Sequence, residues 1–296
     1  MNKPKIKIGC FGEILWDVFP HQELLGGAPL NVALRLHQLG ADVHMISAVG
    51  DDPLGANALR IISERGMGTE GIQIHKKLST GAVHISLKEG NASYTFEDPS
   101  AWDGIEMNQS LRNRVSQQEA LVFGSLALRH PANRIVLNEL LVKSAYPVFD
   151  INLRPPYTSK EVILEMLPKV QFLKMNEEEL GEVSAWLTLP STDAEKNILK
   201  IANRFEIPSI CVTRGDQGAI LYHSNRFFYH SGFRVKVADT VGAGDSFLAG
   251  LLFQLLTKNT PENALRYASA LGALVASKEG ANGKVSSEEI MALLKA

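Results

Sequence analysis

Residues 239–250 read Asp-Thr-Val-Gly-Ala-Gly-Asp-Ser-Phe-Leu-Ala-Gly, and an apolar helical run opens as the glycines end. Gly242, Ala243 and Gly244 can turn their amides into one concavity, because glycine lets a backbone come close to a ligand. A helix N-terminus at that point adds roughly half a positive charge and favours an anion such as phosphate. Asp245 stands at the rim of the hole. A carboxylate so placed can take the proton of an alcohol as that alcohol attacks the terminal phosphate of a nucleotide. The plainer alternative is a glycine loop with an aspartate helix cap.

A second glycine-rich opening, Gly26-Gly27-Ala28-Pro29-Leu30-Asn31-Val32-Ala33, begins another helix, with proline in its first turn. Asn31 offers an amide donor and acceptor to a vicinal diol, or else caps the helix. Asp17, just after the first strand, offers carboxylate oxygens to hydroxyl donors, or is a solvated loop acid. In Lys174-Met175-Asn176-Glu177-Glu178-Glu179, Asn176 and Glu179 share one face of a first helical turn. They can hold a hydrated Mg2+, or simply stabilise the helix start. In Asp150-Ile151-Asn152-Leu153-Arg154-Pro155, which follows another strand, Arg154 suits a phosphate, a sugar acid or a structural ion pair. Thr213-Arg214-Gly215 ends a strand in a polar turn that can meet a nucleotide or merely connect a hairpin.

Other chemistries lack their motifs. Gly66-Met67-Gly68-Thr69-Glu70-Gly71 has dinucleotide-fingerprint spacing but follows a helix. No Walker loop, protein-kinase catalytic loop or Gly-x-Ser-x-Gly elbow is present, and the eight histidines lack metal-ligand spacing.

The elements that must carry these residues alternate. Apolar runs at 5–11, 43–49, 120–123, 147–151, 170–173 and 207–212 read as strands. Helices are expected over 30–39, 54–65, 132–144, 245–256, 261–278 and 287–294. That is an α/β pattern with a mostly parallel central sheet covered by helices. The stretch 81–96 reads as a hairpin turning at Glu89-Gly90-Asn91, and with 14–19 it forms a small sheet that can act as a lid. At 296 residues, one main domain with an appendage is expected. A net charge of −2 without a basic run excludes nucleic acid and acidic membrane as main partners. No run is long enough to span a membrane, the N-terminus reads as a strand, and Cys10 and Cys211 sit in apolar strands, so a cytoplasmic location is expected.

Taken together and in this order, the segments resemble the ribokinase-like (PfkB) family of carbohydrate kinases over nearly the whole chain. The 239–250 stretch resembles the C-terminal signature, and 26–33 with Gly40 and Gly50 the N-terminal one. The resemblance implies a single three-layer α/β/α domain over 1–296, with lid segments at 13–24 and 77–98. It makes Asp245 the catalytic base, 242–244 the anion hole, and Asp17, Gly27 and Asn31 the sugar contacts. Asn176 and Glu179 would organise Mg2+ and phosphates, Thr213 and Gly215 would line the ATP site, and Asp239 and Val241 would hold a monovalent cation such as K+. A homodimer through the lid is also implied.

Gly-Gly-Ala-Pro-x-Asn-Val-Ala and Asp-x-Asn-x-Arg-Pro are most similar to fructokinases, with 2-keto-3-deoxygluconate kinases as near neighbours. The alternatives are therefore a sugar-acid kinase using Arg154 and a silent sugar-binding module. Two positions depart from the family pattern. Lys284 stands where relatives often carry a small or hydroxyl residue, so that either its ammonium replaces the cation or the loop differs, and Tyr157 stands where a nearby tryptophan is common.

Overall fold

Apolar runs too short for helices become strands, and the amphipathic segments between them become the helices that cover them. The structure, a computed structural model, describes residues 5–19, 21–88, 91–189 and 191–295. It divides into two units, Met1–Phe123 with Ala127–Ser144, and Gly124–Leu126 with Ala145–Ala296.

The first unit runs β1 (Lys7–Phe11), β2 (Leu15–Phe19), β3 (Gln22–Gly26), α1 (Ala28–Gln38), β4 (Asp42–Gly50), α2 (Pro53–Glu64), β5 (Ile72–His75), β6 (Gly81–Lys88), β7 (Asn91–Phe96), α3 (Gln109–Val115), β8 (Ala120–Gly124) and α4 (Pro131–Leu141). Strands β8, β1, β4 and β5 lie side by side and parallel, with Cys10 opposite Val122 on one side and Met45 on the other. Ile8, Cys10, Phe11, Met45 and Phe123 are wholly buried, as a parallel sheet covered on both faces requires.

A separate sheet in the order β3-β2-β6-β7 matches the expected hairpin and its partner strand. Its β2–β6 pairing is parallel, which puts Asp17 opposite Val83. Glu89 and Gly90 of the expected turn lie outside the described residues. Strand β3 has an exposed, non-alternating Gln-Glu-Leu-Leu sequence, so periodicity does not announce it.

The second unit runs β9 (Pro147–Asp150), α5 (Lys160–Met166), β10 (Phe172–Asn176), α6 (Glu177–Trp186), α7 (Ala194–Phe205), β11 (Ser209–Thr213), β12 (Ala219–His223), β13 (Arg226–His230), α8 (Ala243–Leu256), α9 (Pro261–Ala276) and α10 (Ser287–Lys295). Strands β9, β10 and β11 are parallel, and β12 and β13 add antiparallel hairpins. The polar turn at 213–215 is thus a hairpin connection, made by a 3-10 turn over Gly215–Gln217.

The strand expected at 170–173 is displaced. Pro168 sits in a 3-10 turn that delays pairing, so β10 starts at Phe172 and extends to Asn176. Lys174 is therefore inside a strand. Helices α3, α5 and α7 were not among the expected elements.

Candidate functional site

Helix α8 opens on Gly242, whose φ of 72° is left-handed and whose missing Cβ would collide with Ala281. Only glycine closes that turn without strain. Because Gly242 holds the N-cap position and no side chain caps the helix, Asp245 is a half-buried first-turn residue and not the cap. The Ala243 amide donates to the Thr240 carbonyl over 3.2 Å, a long bond that an incoming anion can displace.

A buried lysine reaches this turn. A Cβ on Gly244 would lie 3.3 Å from Lys174 Nζ. Lys174 and Asp150 stand opposite each other on β10 and β9, and Nζ donates to both carboxylate oxygens over 3.0 Å. Burial pushes Asp150 up to about 6, and the neighbouring carboxylates Glu179 and Asp245 push the same way against Lys174. Burial pulls the ammonium down, but the charges of Asp150, Glu179 and Asp245 together outweigh it and hold Lys174 above its ordinary value. One ammonium thus serves several carboxylates, and burial raises Asp150 while the surrounding negative charge raises Lys174.

Asn176 and Glu179 form a capping box at the start of α6. Asn176 Oδ1 accepts from the Glu179 amide and Glu179 Oε2 from the Asn176 amide, each over 2.8 Å. Glu179 Oε1 accepts from the Leu153 amide at 2.8 Å. The helix-start reading therefore holds, and both carboxylate oxygens already carry a backbone bond. Each keeps a further lone pair, so the pair fits Mg2+ held through water better than Mg2+ bound directly.

Thr213 pairs in register with Asn176, and its hydroxyl donates to the Met175 carbonyl at 3.4 Å. Gly215 is exposed, with open space where a Cβ would stand. Arg154 is also exposed, folds back onto the Leu153 carbonyl at 2.8 Å and makes no ion pair among the described residues. Asp239 ties two loops together, accepting from the Val241 and Gly280 amides over 3.0 Å each. The second loop is also braced by an ammonium on the preceding helix end. Lys278 Nζ donates to the Lys284 carbonyl at 2.6 Å and to Glu289 at 2.7 Å.

In the first unit, Asp17 is on the central β2 strand of the small sheet, paired with Leu24 and Val83, and is not a loop acid. A Cβ on Gly26 would lie 2.8 Å from Asp17 Oδ2, so the carboxylate leans on the residue next to Gly27. Gly27 caps α1 at φ 110°, where a side chain would collide with the Glu13 carbonyl. Asn31 is buried within the helix, its amide bonded to the Gly27 carbonyl at 2.8 Å, and does not cap it.

Lys174 carries no motif of its own. Its signal was a lone lysine between Leu173 and Met175 in an apolar strand.

The family model for pfkB family carbohydrate kinases matches residues 9–288. A fructokinase from Escherichia coli is 29% identical over 93% of this chain and 94% of its own. The crystal structure of a fructokinase with bound ATP from Xylella fastidiosa superposes with a TM-score of 0.86 at 25% identity, covering 98% of each chain. A fructokinase double mutant from Vibrio cholerae, solved with fructose, ADP and potassium ion, superposes at 0.84 and 23% identity, over 99% of this chain and 100% of its own.

Proposed function

The chain belongs to the pfkB family of carbohydrate kinases, and on that premise we propose that it phosphorylates fructose from ATP. The observation that carries the reading is the first turn of α8, with a left-handed glycine cap, a glycine over a buried ammonium and Asp245 in the same turn. Asp17, Gly27 and Asn31 bind sugar hydroxyls, while Thr213 and Gly215 line the nucleotide. The sugar oxygen bonds to the γ-phosphorus as the bond to the bridging oxygen breaks, and the hydroxyl proton passes to Asp245. The amides at 242–244 receive the charge on the transferring group. A carboxylate in the first turn of a helix is a weak base, because the helix dipole favours its ionised form, but a loose transition state releases the alcohol proton late and depends more on positioning.

Asn176 and Glu179 would hold Mg2+ through water, and the ion would offset phosphate charge. The Asp239 carboxylate and the Val241 carbonyl are hard oxygen donors suited to a potassium ion. Equal velocity in potassium, sodium and choline salts contradicts that assignment. The small sheet is read as a lid over the sugar that excludes water and as the face of a homodimer. Among the described residues, no helix is long and apolar enough to cross a membrane. The buried free thiols Cys10 and Cys211 agree with a cytoplasmic location.

A second reading rests on Arg154, whose exposed guanidinium makes no ion pair among the described residues and can meet the carboxylate of a sugar acid. Release of ADP with Mg-ATP and either fructose or 2-keto-3-deoxygluconate separates the two. Fructose turnover supports the first reading. Turnover of the sugar acid alone, abolished in Arg154→Gln, replaces it with the second.

A further inference from the structure

Lys174 sits in the buried centre of β10, and the transfer step described above gives it no task. Removing an ammonium from water costs roughly several kcal/mol before a partner is counted. Asp150 is that partner, and the bidentate contact at 3.0 Å uses two of the three N–H donors. A purely structural pair would need nothing more. Here the same ammonium also reaches the glycine turn, where a Cβ on Gly244 would lie 3.3 Å from Nζ. Without Lys174, the buried Asp150 would stand beside the first turn of α8 with no ammonium opposite it, a field that repels a triphosphate.

We propose that Lys174 is a positioning residue for phosphoryl transfer: locked by Asp150, its ammonium supports the first turn of α8 at Gly244 and supplies the positive field in which the anion hole receives the γ-phosphate. The inference rests on the kinase reading of this site. It adds a group that touches neither sugar nor phosphate and acts through the glycine turn.

The test uses the full chain with Mg-ATP and its best sugar. Lys174→Met should lose stability and turnover together. The double variant Lys174→Met/Asp150→Leu separates the two effects, because replacing a buried pair by apolar residues is often neutral for stability. Its melting temperature should return toward wild type, while kcat stays at least about a hundredfold low with sugar KM little changed. A double variant with wild-type kcat overturns the proposal. If the methionine variants do not fold, Asp150→Asn decides, since it keeps the ammonium and loosens its lock. A kcat lowered several-fold at unchanged sugar KM supports the proposal, and a wild-type kcat overturns it. Wild-type protein that releases no ADP with any sugar would remove the kinase reading itself, an outcome distinct from any of these.

Discussion

Each unit buries an ion pair, and the two pairs differ in what surrounds them. In the first unit, Arg129 bonds Asp103 at 2.6 and 2.9 Å, gives a further N–H to the Glu97 carbonyl and lies 4.1 Å from the Trp102 ring centroid. Asp103 also accepts from the Ser100 amide at 2.8 Å within a capping box. The Arg129 contacts tie it to the segment 97–103, where Asp98 also lies 4.0 Å from its guanidinium, and none of them touches a proposed site residue. In the second unit, Lys174 has one partner in direct contact and further carboxylates within electrostatic reach, next to a glycine turn shaped for an anion. A pair that grips its own neighbouring segment holds structure, whereas a pair beside a glycine turn is available to a ligand.

The largest expected effect tests the structural side. Arg129→Met strands Asp103 and should cost about 3–5 kcal/mol in denaturant unfolding while leaving kcat of the folded protein unchanged. A loss of turnover like that of Lys174→Met would erase the distinction between the pairs.

A half-buried base sharpens it from another side. Burial, with the Arg114 charge beside it, pushes His44 on β4 down to about 4, while Glu70 and Asp42 pull the other way. The unfolded chain takes that proton near 6.5 and the folded chain only near 4, so the unfolded state binds more protons between them. This contribution is whole above the upper value and is lost as pH falls through the window, by at most roughly 3 kcal/mol. Thermal melts from pH 7 to 4 should show the fall, and His44→Gln should flatten it.

Gly244→Ala puts a methyl 3.3 Å from the Lys174 ammonium. Turnover should fall on the order of tenfold with little change in melting temperature, because the displacement is small and local. A melting loss without a kinetic one would make the contact structural. Smallest is Asp193→Ala, which removes the cap of α7, where Asp193 accepts from the Glu195 and Lys196 amides. It should cost about 1 kcal/mol and leave kcat untouched.

The sequence made the α8 turn readable because a left-handed cap, a close backbone approach and a long apolar helix each demand particular residue types there. The parallel strands and the 81–96 hairpin were readable for the same reason. Helix α7 has its signal in an Asp193 cap followed by buried Ile198, Ile201 and Ala202 at helical spacing. Strand β3 has no such period. The Lys174–Asp150 pair depends on the register between β9 and β10, which neighbouring residues in the chain do not encode. The same limit left Asn31 and Asp17 with two readings each, until strand pairing and the Gly27 cap removed the capping and loop alternatives.

The most direct test of the account is ADP release from Mg-ATP and fructose by wild type and Asp245→Asn, with nucleotide binding measured in parallel. The account predicts sugar-dependent release that falls at least about a hundredfold in the variant while ATP binding persists. Near-wild-type turnover by Asp245→Asn would contradict it.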